Sequence, residues 1–286
     1  MFNLLSGEWY KIRKSKSFFV CTLIAIGLVL LLYGAARMVE EGGSVAIELE
    51  IENTYEDESG ASLDAGYASS TQAESAPEES EVKIGIMDIM ELMLGGFVQI
   101  IACIFVCIFV VEEYGNGAIK NFTGKGYTRR QIFQSKYVAS LMAAVWMCII
   151  SVAATVILGI CFTGVDELNV EFFKNLFIYV TIQIVLEIAL TGIIVVISEI
   201  SRNMGTTIAI SMVLIMFSTA FSGMLDLLFR RFDFKVSDYW IVDLIENCPN
   251  TNVDGTFLRH MVIACIIWIV ASLFIGTKHF QKRDVN

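Results

Sequence analysis

Few residues of this 286-residue chain are of types that do chemistry: two histidines, seven cysteines and some carboxylates set within apolar stretches. His260 opens an apolar run and His279 lies in the C-terminal tail, so no H-E-x-x-H pair exists to hold a zinc ion. Cys103 and Cys107 share a helix face at i, i+4, yet no His or further Cys completes a metal set. Cys21, Cys148, Cys161 and Cys265 sit in or near the ends of apolar runs, where Cys packs as a small hydrophobe. Cys248 lies in a polar segment, and no disulfide framework follows from the spacing. Ser222-Gly223 lacks the preceding glycine of a nucleophile turn and has no His partner. No G-x-x-x-x-G-K-[ST] loop occurs. The nearest cluster, Gly124-Lys125-Gly126, lacks the first glycine at the right distance and runs into Tyr127. Neither an enzyme nor a resident metal or cofactor is expected, and any ATP must be bound by another chain.

Three polar side chains stand where apolar ones are expected. Glu187 lies in a long apolar run with Gln183 one turn before it, and Gln99 lies in another. A carboxylate inside a membrane span is costly and marks a functional site by default. Glu187, Gln183 and Gln99 are therefore candidates for lining a translocation path. The bland alternative is that Glu187 is protonated or hydrogen-bonded to a neighbouring helix. The paired Glu112-Glu113 resembles the carboxylates of some intramembrane proteases, but the companion Arg and His elements are absent.

These residues need a scaffold, and composition says which. The chain is 56% hydrophobic with a mean hydropathy of +0.66, and 17% of its residues are charged. A soluble domain carries about a quarter charged residues. The fold class expected is an all-α polytopic membrane protein with six transmembrane helices, an N-terminal interfacial helix and an acidic extracellular loop. The spans are read at 18–36, 91–111, 137–162, 172–198, 205–224 and 257–277, each near the ~20 residues that a bilayer requires. Residues 1–17 place Phe2, Leu5, Trp9 and Ile12 on one stripe with Glu8, Lys11 and Lys14 off it. That pattern suits a helix lying in the headgroup layer against membrane lipid. Between 225 and 256, two short amphipathic helices either dip into the outer leaflet or form a surface hairpin that never enters.

Charge orients the chain. Residues 37–90 hold 14 acids against Arg37 and Lys83, a net −12, while the rest of the chain is +2. The centre of that loop is too poor in apolar groups to fold alone. At its ends Val45–Glu52 and Val82–Ile86 alternate with period two, which predicts a two-stranded ribbon; the alternative for 82–90 is a helical lead-in to the next span. Placing the N-terminus inside gives the cytoplasmic pieces 13 of the 20 Lys and Arg residues. The positive-inside rule then puts both termini in the cytoplasm of a multi-pass plasma-membrane protein, with the acidic loop outside. No nucleic-acid partner is implied.

The longest polar, basic segment between apolar runs is 112–136, and it falls inside. Gly115, Gly117, Gly124 and Gly126 flank a short stretch, Ala118–Thr123, that would form a helix between flexible joints. An ordinary positive-inside loop explains the same residues. Here the chain resembles the ABC type-2 permeases, the membrane subunits of bacterial ABC exporters. The likeness covers nearly the whole chain. It comprises E-W-x-K-x-R at Glu8, Lys11 and Arg13; E-x3-G-x-I-K at Glu113, Gly117, Ile119 and Lys120; and R-x-x-I-x-x-x-K at Arg129, Ile132 and Lys136. It departs from the family where Gly126-Tyr127-Thr128 stands in place of a proline before Arg129, and in its longer acidic loop. The resemblance implies a coupling helix at about 117–130 that docks on a cytoplasmic ABC ATPase, with Glu113, Gly117, Ile119, Lys120, Arg129 and Arg130 as coupling residues. It also implies a second permease subunit, identical or not, and export of a hydrophobic or cationic substrate such as an antimicrobial peptide or drug. An ion- or proton-coupled secondary transporter using Glu187 and a membrane-anchored sensor are the alternatives.

Overall fold

The computed structural model describes residues 2–40, 85–115, 127–163, 169–229, 235–249 and 253–282. Among these residues every regular element is helical and none is a strand. Helix α1 spans Phe2–Lys14 and α2 spans Lys16–Glu40. Helix α3, Ile86–Leu92, runs through a π-helical turn at Met93–Phe97 into α4, Val98–Gly115. Then come α5, Arg129–Thr163, and α6, Val170–Ser201. Helices α7, Met204–Met216, and α8, Ser218–Phe229, meet at a 54° bend. A 3-10 turn at Ser237–Tyr239 leads into α9, Ile241–Glu246, and the last helix is α10, Gly255–Lys282. Five helices are long and apolar enough to cross a membrane, and six when the bent α7–α8 pair counts as one. The chain is thus a helical, multi-pass membrane protein by length and composition.

Several expectations meet the structure at particular residues. The fifth span is not straight: Phe217 leaves helical geometry between α7 and α8. The predicted ribbon falls largely outside the described residues, but Ile86, its last residue, opens a helix. The lead-in alternative therefore holds from there onward. Asp88 secures that start by accepting from the Gly85 backbone N–H at 2.9 Å. The acidic loop centre and the stretch Ala118–Thr123 also lie outside the described residues. Of the two external amphipathic helices, Leu225–Phe229 is the end of α8, and the second is α9.

Helix α9 enters the bundle. Ile241 to Ile245 are all buried, and Cys248, expected in a polar segment, is 2% exposed behind them. The amide of Gln183 donates to the Ile245 carbonyl at 3.1 Å. Gln183 lies 13 residues past the start of α6, so α9 reaches ~20 Å along it at 1.5 Å per residue. The opposing surface is the π turn, where the Ile245 carbonyl lies against Gly95. A π turn frees a backbone carbonyl, and the Gln99 side chain covers it by donating to the Gly95 oxygen.

Close helix contacts rest on small residues, as is usual where no water drives association. A methyl group at Gly276 of α10 would overlap the ring of Phe133 of α5. Tyr137 of α5 and Ser272 of α10 share a hydrogen bond of 2.8 Å, packed against Gly192 of α6.

Candidate functional site

Four of the charged side chains that the fold buries, Glu8, Glu113, Lys136 and Glu199, gather at one end of the bundle, while Glu187 and Asp243 lie elsewhere. Helix α1 packs there on α5, with Leu4 and Ile12 buried and the Trp9 and Trp146 rings 6.1 Å apart. Its polar edge carries Glu8 and Lys11 one turn apart. Lys11 Nζ lies 3.1 Å from Glu8 and 2.7 Å from Glu113 at the end of α4. The other oxygen of Glu113 lies 2.8 Å from Lys136 in the third turn of α5. Lys136 is 1% exposed, among the most buried side chains of the protein.

Tyr114 extends the cluster. Its ring faces Lys136 Nζ and the Arg202 guanidinium, each 4.6 Å from the centroid. Arg202 caps α6 with φ +52°, the one non-glycine residue in the left-handed region among those described. Glycine or asparagine usually takes that place, and another side chain costs roughly 1–3 kcal/mol. Contacts with Tyr114 and with Glu199, 3.7 Å away, hold Arg202 there. The turn then closes through Asn203, whose side chain accepts from the Gly205 and Thr206 N–H groups to start α7.

Electrostatics follow from burial. Removal from water and the nearby Glu113 charge push the Glu8 carboxyl up from 4.5 to about 7, although Lys11 opposes them. Burial alone would lower Lys11, but its contacts with Glu113 and Glu8 outweigh that and raise it.

The same cluster brackets the 116–126 stretch on both sides. Glu113 precedes it by one turn of helix. On the far side, Thr128 and Gln131 form a capping box that starts α5: the Thr128 N–H donates to the Gln131 side chain at 3.2 Å, and the Gln131 N–H to the Thr128 hydroxyl at 3.4 Å. Arg129 is half-buried in that first turn and Arg130 is exposed. Of the coupling residues read from sequence, Gly117, Ile119 and Lys120 lie outside the described residues. Glu113 points inward, into the ion cluster with Lys11 and Lys136.

The path candidates each make contacts of their own, with Gln99 and Gln183 both at the junction of α9 and the π turn. Gln183 is fully engaged, donating to Tyr179 and Ile245, each at 3.1 Å. Gln99 serves the π turn. Glu187 is 4% exposed and accepts from the Thr191 hydroxyl at 3.5 Å. Among the described residues no group of His, Cys, Asp and Glu is placed to hold a metal ion. All seven cysteines are free thiols.

Residues 54–286 match the family model described as "Protein of unknown function (DUF2705)". The chain belongs to the DUF2705 family. Among curated proteins no match is found. The matched region of this DUF2705 chain includes Glu113, Tyr114, Lys136 and Arg202, while Glu8 and Lys11 lie before it.

Sequence reading missed Tyr114, Glu199 and Arg202. Their signals were faint: an aromatic after a Glu pair, and a Glu-x-x-Arg step across a two-residue turn. It had quoted Glu8, Lys11, Glu113 and Lys136, but as parts of three separate motifs. The structure brings those three motifs into one ion cluster.

Proposed function

We propose that this chain is the permease subunit of an ATP-driven exporter. The observation that carries the proposal is the Glu8–Lys11–Glu113–Lys136 cluster, which ties α1 to both flanks of the 116–126 stretch. A loop that receives force from another protein must pass it to the helices on either side. Glu113 and Lys136 would pass it to α4 and α5, and Lys11 to α1. The apolar spans and the want of a nucleotide-binding motif in this sequence support the same reading. In it, the 117–130 loop and both termini face the cytoplasm and two ABC ATPase subunits dock on that side. A second permease subunit completes the path. The substrate class is hydrophobic or cationic, such as an antimicrobial peptide, to which the −12 outer loop is complementary.

Co-purification tests it. Tagged protein should retain a cytoplasmic Walker-type ATPase, and Lys120→Glu with Arg129→Glu should release that ATPase. Transport by the chain alone in a proton gradient, without ATP, would sink the exporter reading. That outcome would favour the second reading, a proton-coupled carrier, which the deeply buried Glu187 supports. Glu187→Gln would then abolish transport, whereas in the exporter it should leave ATPase assembly intact.

A further inference from the structure

Beside the ion cluster, a cleft of about 500 Å³ opens between α1, the start of α2 and the end of α4. Its walls include Lys11, Lys14, Ser15, Lys16 and Ser17, with Phe109 as an apolar floor. The volume lies within the ~300–1,000 Å³ of small-molecule pockets. Three ammonium groups and two hydroxyls around one cleft favour an anion. The lysines also outnumber the acids where it counts. Lys11 and Glu113 are committed to each other and to Glu8 and Lys136, so among the described residues lining the cleft Glu112 is the one acid left to face Lys14 and Lys16. Lys14 is steadied by donating to the Tyr10 hydroxyl at 3.2 Å.

The surface beyond the cleft says what kind of anion. At 3.6 residues per turn, the face of α2 that carries Lys16 continues through Val20, Leu23, Gly27 and Leu30. Val20, Leu23 and Leu30 are 55%, 72% and 53% exposed. A cationic, hydroxyl-bearing cleft thus runs into an exposed apolar strip on one helix. That pairing suits an amphiphile with its charged end in the cleft and its chains along α2. We propose that this cleft binds the phosphate-bearing headgroup of an anionic phospholipid. The inference is independent of the exporter reading and needs only that α2 spans a membrane. A lipid seated there would bridge α1 and α2 and bear on the same Lys11 that α1 uses to hold Glu113.

The test uses the full chain in neutral detergent, titrated with dioleoylphosphatidylglycerol, dioleoylphosphatidylcholine or inorganic phosphate. Bound lipid is read by native mass spectrometry and by the shift in melting temperature. Phosphatidylglycerol should bind saturably and stabilise the protein, while phosphatidylcholine and phosphate should not. Each lysine near an anionic headgroup contributes about five-fold in affinity, so Lys14→Gln with Lys16→Gln should weaken binding about thirty-fold. Both lysines are exposed, so this variant should fold. Lys174→Gln, at an exposed lysine near the start of α6, should titrate like the wild type. Equal binding of phosphatidylcholine, or an unchanged titration for the double variant, overturns the site. The full stabilisation by inorganic phosphate alone overturns the lipid assignment in favour of a free anion.

Discussion

Removing Glu113 should cost far more than removing its partner Lys136. At 2.8 Å the pair's gross attraction is about 6 kcal/mol at an effective dielectric of 20, set against a desolvation cost of several kcal/mol per ion. The net value of the intact pair is therefore small, but the cost of orphaning either member is not. In Glu113→Ala, Lys136 stays 1% exposed with no carboxylate beside it, which costs roughly 3–5 kcal/mol. In Lys136→Met the thioether fills most of the volume, and Glu113 keeps Lys11 at 2.7 Å. Lys11 is 38% exposed, so that remaining pair is worth only about 0.2–1 kcal/mol; water nearby still limits the loss, to roughly 1–2 kcal/mol. The double variant should lie near Lys136→Met rather than at the sum, because it leaves no buried orphan charge. The assay is reversible unfolding in mixed micelles by a denaturing detergent, followed by tryptophan fluorescence, as a double-mutant cycle. If the single losses add to within about 0.5 kcal/mol, the cluster is not one unit and the reasoning fails.

The remaining tests probe other contacts. The Glu8 carboxyl titrates at about 7 in the folded protein against 4.5 when free, so the folded state holds its proton more tightly. Stability from this group is complete below about pH 4.5 and is lost as pH rises through 7. Melting curves from pH 5 to 8 should show that decline, and Glu8→Gln should flatten it. Gly276→Ala should lose roughly 1–3 kcal/mol in the same unfolding assay by forcing the Phe133 ring aside; a neutral outcome would mean that α5 and α10 can separate freely. Gln183→Leu removes the hydrogen bond that holds the end of α9, worth about 1 kcal/mol. Maleimide labelling of the buried Cys248 should accelerate in that variant, and unchanged labelling would show that apolar packing alone seats α9.

Hydropathy made the helices legible because a bilayer demands long apolar runs, and nothing else in the chain looks like them. It missed the bend at Phe217, because a break between two apolar half-helices leaves no polar mark in the sequence. Depth was legible only by half at α9. Its apolar residues announced an amphipathic helix, yet whether it lay on the surface or entered depended on Gln183, Gln99 and Gly95, which reside on other helices. Those two glutamines looked like path-lining residues for the same reason. A single sequence shows that an amide sits in a span but not that a carbonyl from a π turn or from α9 is waiting for it. Glu113 was legible as one member of a motif, but not its partners: Lys11 and Lys136, far away in sequence, turn it inward.

The two ends of the bundle are held by different kinds of contact, and this bears on where movement can occur. At the α1 end, Glu113 is shared by two lysines from two other helices; drawing it away from α5 strands the buried Lys136, while the 38% exposed Lys11 holds it more loosely. Around α9 the ties are single hydrogen bonds: Gln183 to the Ile245 carbonyl, Trp268 to the Tyr239 carbonyl and Trp240 to the Ser218 hydroxyl are neutral, and Thr219 donates to the Glu246 carboxylate at 3.1 Å. Each neutral bond is worth about 1 kcal/mol net, several-fold less than an orphaned buried charge. The α7–α8 bend lies among these weaker ties, since Ser218, the residue after it, accepts from Trp240 at the start of α9. A push at the 116–126 stretch would thus carry α1, α4 and α5 together and be released where α8 and α9 can shift. In the exporter proposed above, the cluster would act as a handle and the α7–α9 region as the compliant part.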